Sequence, residues 1–174
     1  MKKTILFGAL FLACTVFADC SKSVDHWSDY ERSRLVWLGF KKFSGNSYEY
    51  QVVQGSWVGF SSITNITVTS GKVTQRYFKF IPPPGSPTNI PPGDLEWTEN
   101  EIQLNTHTTL GPAATLTLDQ IYDKARTEWL IERRNSTTYF EAKNNGMISS
   151  CGYGEVGCQD DCFVGINIAF IHKR

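Results

Sequence analysis

Between residues 47 and 80 apolar side chains, many of them β-branched or aromatic, recur with the short period of extended chain, and they predict three consecutive antiparallel strands, roughly Ser47–Trp57, Ser61–Thr69 and Lys72–Phe80. Gly55 and Gly59 bracket the first connection. Ser70-Gly71, set between runs of Thr, Val and aromatic residues, has the composition of a two-residue hairpin loop. That loop implies a register in which Val68 faces Val73 and Ile66 faces Gln75, while on the opposite face Thr67 meets Thr74 and Asn65 meets Arg76. One face of such a sheet is apolar and the other polar, so the remaining chain must cover one side.

Two stretches have the helical period instead. In Asp25–Lys42, Trp27, Tyr30, Leu35 and Leu38 recur at near-helical spacing with Asp29, Glu31, Arg32 and Arg34 between them, which predicts an amphipathic helix ending near Gly39. Thr117-Leu118-Asp119-Gln120 fits a capping box, and Leu116 and Ile121 stand where a hydrophobic staple would close it. A second helix is therefore expected from Leu118, burying Leu118, Ile121, Tyr122, Ala125 and Trp129 and ending near Arg133 and Arg134. Ser136–Lys143 and Phe163–His172 read as two further strands, the last with Val164, Ile166, Ile168 and Phe170 on one face.

The connections are as telling as the elements. Residues 81–93, IPPPGSPTNIPPG, hold six of the seven prolines and predict a stiff surface loop, because proline gives a ladder no N–H donor. Residues 94–114 carry Leu95, Trp97, Ile102 and Leu104 without a clear period, so only a short strand or irregular cover is expected. The sum is an α+β domain: an antiparallel sheet of about five strands, covered on one face by two helices, with a C-terminal disulfide-bonded loop.

Residues 1–18 have the pattern of a secretory signal: Lys2 and Lys3, an apolar run from Ile5 to Phe17, and Val16-Phe17-Ala18 as a cleavage site. The run falls short of the ~20 residues of a membrane span, and no later stretch approaches that length. Residues 19–174 then form a single secreted domain. A second reading of the leader takes Phe11-Leu12-Ala13-Cys14 as the box before a lipidated cysteine. Without Lys2 and Lys3 the chain has 15 basic side chains against 17 acidic ones, a net of −2, which gives no electrostatic reason to expect nucleic acid as a partner. In an oxidising compartment Cys20, Cys151, Cys158 and Cys162 predict two disulfides, with three pairings open.

Tests for chemistry return little. The three C-terminal cysteines with His172 have ligand types suited to zinc, but in a secreted chain the disulfide reading prevails and no CxxC pair is present. Asp160, Asp161 and Glu155 lack the regular spacing of a calcium loop. Gly59-Phe60-Ser61-Ser62-Ile63 misses the second glycine of a nucleophile elbow. His26, His107 and His172 are the available bases, and a hydrolase would need a cleft bringing His107 or His172 to a carboxylate. Glu99 and Glu101 read as exposed acidic residues and not as an acid/base pair. Asn65-Ile-Thr67 and Asn135-Ser-Thr137 are glycosylation sequons, and Trp57 and Tyr153 are candidates for exposed binding aromatics.

Trp37 ahead of Ser47-Tyr48-Glu49-Tyr50, the hairpin Thr67-Val68-Thr69-Ser70-Gly71-Lys72-Val73, and the helix start Thr117-Leu118-Asp119-Gln120-Ile121-Tyr122 resemble a family of unknown function found in bacterial secreted proteins and lipoproteins. The plan is similar, too, to that of secreted proteins of the mollusc shell organic matrix. The proline-rich insertion and the C-terminal cysteine loop depart from the bacterial pattern. The resemblance implies no catalytic residues and no cofactor. Together these readings lead to a non-enzymatic extracellular protein, a structural component of a matrix such as that of a calcified shell, with matrix proteins or polysaccharide as partners. The alternatives are a secreted binding or inhibitor module and a bacterial lipoprotein.

Overall fold

Ser70 and Gly71 both adopt positive φ, 50° and 82°, the combination a two-residue hairpin needs for its twist to match the flanking strands. Those strands are β2 (Ser61–Thr69) and β3 (Lys72–Ile81), preceded by β1 (Tyr48–Gly55). The computed structural model describes residues 23–86, 89–160 and 162–174. The leader, Cys14 and Cys20 lie outside them, as does Asp161. Val68 pairs with Val73 as expected, but a bulge follows, so Thr67 meets Gln75, Ile66 meets Arg76 and Asn65 meets Tyr77.

The sheet is antiparallel throughout and has seven strands rather than five. β4 (Glu96–Asn100), β5 (Ser136–Glu141), β6 (Ser150–Glu155) and β7 (Val164–Lys173) complete the order β4-β3-β2-β1-β7-β6-β5. Of the two strands beyond the expected five, β4 is the short strand left open for residues 94–114, and β6 was not foreseen. In β4, Trp97 and Glu99 alternate inward between exposed Glu96, Thr98 and Asn100. In β6, which lies inside the stretch expected to be a cysteine-held loop, Cys151 enters the core and Tyr153 packs against it, while Gly152 and Gly154 take the other face.

Helix α1 (Trp27–Phe43) runs past Gly39, and it buries Tyr30, Ser33 and Trp37. The expected stripe is corrected accordingly: Trp27, Leu35 and Leu38 are exposed. A single turn, α2 (Pro92–Leu95), leads from the proline-rich loop into β4. Helix α3 (Leu118–Lys124) opens with the expected box, Gln120 N–H donating to Thr117 Oγ1 at 3.3 Å and Thr117 N–H to Gln120 Oε1 at 2.8 Å. It widens into a π-helical segment, Ala125–Trp129, and stops there, short of Arg133. Arg133 still serves the helix end, donating to the Ile131 and Trp129 carbonyls.

Both α1 and α3 lie in the main core. Tyr30, Trp37, Tyr48, Tyr50, Ile66, Ile121, Tyr122 and Ile168 are among its members. The two helices are also bolted together. Trp37 Nε1 donates to Asp119 at 3.0 Å, Tyr30 OH to the Tyr122 carbonyl at 3.1 Å, and the Tyr122 and Ser33 hydroxyls are 2.7 Å apart. Burial is the main reason the Tyr122 hydroxyl is pushed up to about 12.

β7 joins the two halves of the sheet by pairing with β6 over Val164–Asn167 and with β1 over Ile168–Lys173. A register shift opposite Gln51 and Val52 changes the phase of its side chains, so the buried residues are Ile166, Ile168 and then Ile171. Phe170 consequently leaves the expected apolar face, whereas Val164, in phase with Ile166, is exposed at the strand's start. Among the described residues, no helix is long and apolar enough to cross a membrane.

Candidate functional site

At the β4 edge, the inward pattern of β3 and β4 places Arg76 beside Glu99, and both are removed from solvent, 3% and 0% exposed. Arg76 donates from Nε and Nη2 to Glu99 Oε2 at 3.0 and 2.9 Å. Its remaining donors reach the carbonyls of Ala113 and His107. Glu99 also accepts from the backbone N–H of His107 at 2.6 Å and of Asn105 at 2.9 Å, and from Thr106 Oγ1 and His107 Nδ1, each at 3.2 Å. Burial would raise this carboxyl, but the His107 and Asn105 N–H groups, with Arg76 beside them, overcome it and hold the group down to about 2. The guanidinium lies 5.0 Å from the Trp97 ring, which stacks on Phe78 and on His107.

Glu99 is thus not the exposed acid expected from the sequence. It does meet His107, as a hydrolase would require, yet its oxygens already accept six donors and its charge is matched by Arg76. This arrangement suits fastening residues 105–113 to the sheet better than moving a proton to a substrate. The sequence signal that would have found it is the two-residue spacing of Trp97 and Glu99. Glu101 is exposed and stands apart.

The other sites predicted from sequence are dispersed. Cys158 and Cys162 form a disulfide. Cys151 is a free thiol facing the core, which corrects its assignment to a disulfide; burial pushes it up to about 12. Asn65, on the outer face of β2, donates from Nδ2 to Glu49 at 3.1 Å and accepts from Gln51 at 2.9 Å. Asn135 is exposed in the turn before β5. His26 contacts the Thr138 carbonyl through Nε2 at 3.2 Å, and the His172 ring packs on Phe170. Trp57 is 73% exposed, whereas Tyr153 is half-buried under the Arg133 guanidinium, 3.9 Å from its ring centre. Among the described residues no three His, Cys, Asp or Glu side chains are grouped to hold a metal.

What sequence reasoning missed is a trough of about 930 Å³ along β5, β6 and β7, whose lining runs from His26 at the start of α1 to Phe163 and Asn167. Gly154 of β6 lies in its lining, and on the same face Gly152 and Gly165 let β6, β7 and the Phe163 ring approach closely. A Cβ on Gly165 would lie 2.2 Å from the Cys151 carbonyl oxygen, and one on Gly152 would lie 2.5 Å from the Phe163 ring. That ring and the Tyr139 ring, 6.3 Å apart, form an aromatic wall, beside which Cys158 and Cys162 also line the trough. Asn167 and Ser150 supply polar groups, joined at 2.8 Å by the Ser150 hydroxyl donating to Asn167 Oδ1. Where the β1–β7 ladder ends at Val52 and Ile168, a smaller cavity of about 400 Å³ opens toward Leu116 and Trp129 and shares Val53, Phe163 and Asn167 with the trough. Rings, hydroxyls and an amide around an open channel can stack on and hydrogen-bond an extended ligand. No family model, no curated protein and no solved structure matches the chain.

Proposed function

We propose that the protein is a non-enzymatic extracellular component that associates with polysaccharide or protein of a surrounding matrix, and that the trough is where the contact is made. The observation carrying this reading is the placement of Tyr139, Phe163, Asn167 and Ser150 around one open channel, while the His107–Glu99 contact sits at the opposite edge of the sheet with its carboxylate saturated. Export follows from the leader pattern and is supported by the Cys158–Cys162 disulfide. A place in a calcified shell matrix rests on the resemblance alone. Asn135 is the better placed of the two sequons to carry a glycan, since Asn65 would first have to release Glu49.

The test is retention of the mature protein on insoluble polysaccharide, chitin and cellulose, and on decalcified matrix. Wild-type protein should be retained, and Tyr139→Ala with Phe163→Ala should lower retention about tenfold, the loss of one to two stacking contacts. Absence of retention on all three supports, or equal retention of the variant, would overturn the proposal.

A further inference from the structure

The β1–β2 hairpin ends in Ser56-Trp57-Val58-Gly59-Phe60. This turn is closed by Ser56 N–H donating to the Phe60 carbonyl and Gly59 N–H to the Ser56 carbonyl, both at 3.0 Å, with Gly59 at φ 93°. Turn apices are the usual place for Gly, Asn, Asp, Pro and Ser. Here Trp57 and Val58 occupy the apex, 73% and 49% exposed. Phe60 is held against Phe80 at 5.6 Å and is itself 40% exposed, beside Ile81 at 43%. Pro83 lies within van der Waals reach of Gly59. The apolar groups are therefore fixed outward by a hydrogen-bonded turn and by the β1–β2 and β2–β3 ladders.

The two chain segments that meet at this end carry no charge; from another element, Lys124 shares a cavity with Gly55. No Asp, Glu, Lys or Arg occurs between Glu49 and Lys72, or between Lys79 and Asp94. Ser61 stands opposite Ile81 and Ile63 opposite Lys79, so three residues of strand, ~10 Å, separate the Ser56–Phe60 rung from the first charge. That charge, Lys79, is paired with Glu96 at 3.0 Å.

We propose that this end of the molecule is a docking tip for an electrically neutral lipid surface. Its charge-free depth matches the ~5–10 Å to which apolar faces sink into the headgroup and acyl boundary, and tryptophan is the side chain that boundary favours. A second copy of the chain fits less well: the four exposed side chains offer on the order of 400 Å², about half of what each partner contributes to a stable interface. Trp57, Val58, Phe60 and Ile81 line neither the trough nor the smaller cavity, so they stand outside the concave sites a peptide would enter. With no basic residue within the tip, binding should not depend on anionic headgroups. The inference stands apart from the trough and uses none of its residues.

The test is co-sedimentation of the mature chain with phosphatidylcholine vesicles, read together with tryptophan emission. Expected are a bound fraction with blue-shifted emission, no loss at high salt, and about a tenfold weaker partition for Trp57→Ser. Val58→Asp, at the apex and away from the Phe60–Phe80 stack, should weaken binding without changing the melting curve. Failure to bind neutral vesicles, binding only when anionic lipid is added or only at low salt, or variants that bind as tightly as the wild-type chain would each overturn the proposal. So would a dimer in solution that the same substitutions dissolve.

Discussion

At the β4 edge, a carboxylate with no solvent exposure accepts six donors and fastens the long connection between β4 and α3. Toward the β5 edge, the outward face of β6 and β7 is thinned by Gly152, Gly154 and Gly165, and an aromatic pair stands beside Cys158 and Cys162. Both regions depart from plain alternation, in opposite directions. The first buries charge and satisfies it completely, which makes it rigid and leaves no free acceptor for a ligand. The second exposes backbone and aromatic surface, which adds little to the core and leaves room for a guest. The comparison shows why a histidine–carboxylate contact is a poor guide to the functional end of this molecule.

The sharpest way to break the contrast is Glu99→Ala. It leaves Arg76 buried without its partner and should cost about 3–5 kcal/mol in urea unfolding. The pH dependence has a definite sign. The Glu99 carboxyl is held down to about 2 in the folded chain and returns to the ordinary carboxylate range on unfolding, so the folded state binds fewer protons between those values. Its contribution, roughly 3 kcal/mol, is fully present above about pH 4.5 and is lost as pH falls toward 2. Glu99→Gln should flatten that part of the stability profile, and an unchanged acid limb would refute the assignment.

Next in size is Gly165→Ala. Its added methyl meets the Cys151 carbonyl and must push β6 from β7, at a cost of about 1–3 kcal/mol. Loss of hydrogen-exchange protection should be confined to β5–β7, with β1–β4 unaffected. Smallest is Thr117→Ala, which removes the cap of α3 for about 1 kcal/mol and should leave both edges as they are.

Legibility in the sequence follows the same division. β1, β2 and β3 were readable because β-branched and aromatic residues alternate there between clear turn residues, and α3 because its cap is a side-chain signal local in sequence. The inward face of α1 was not, since it combines Tyr30, Ser33 and Trp37, and Ser33 is paired through a hydroxyl that only α3 supplies. The bulges at Thr67/Val68 and Gln51/Val52 were hidden because alternation continues on both sides of a slip and only its phase changes. Glu99 looked solvated because its partner lies 23 positions away. The trough was unreadable because the glycines of β6 and β7 mimic the composition of a loop.

β7 holds a central place in the sheet although it is the last strand in the chain. Tyr48 pairs with Lys173, and Tyr50 with Ile171, so the middle of the sheet is sealed by residues far apart in the sequence. The β1–β7 ladder cannot form until the chain has been made through β7. Bringing such distant segments together is slow, and until then β1 offers an open edge to other chains. A protein handed across a membrane before it folds would meet that delay only on the far side.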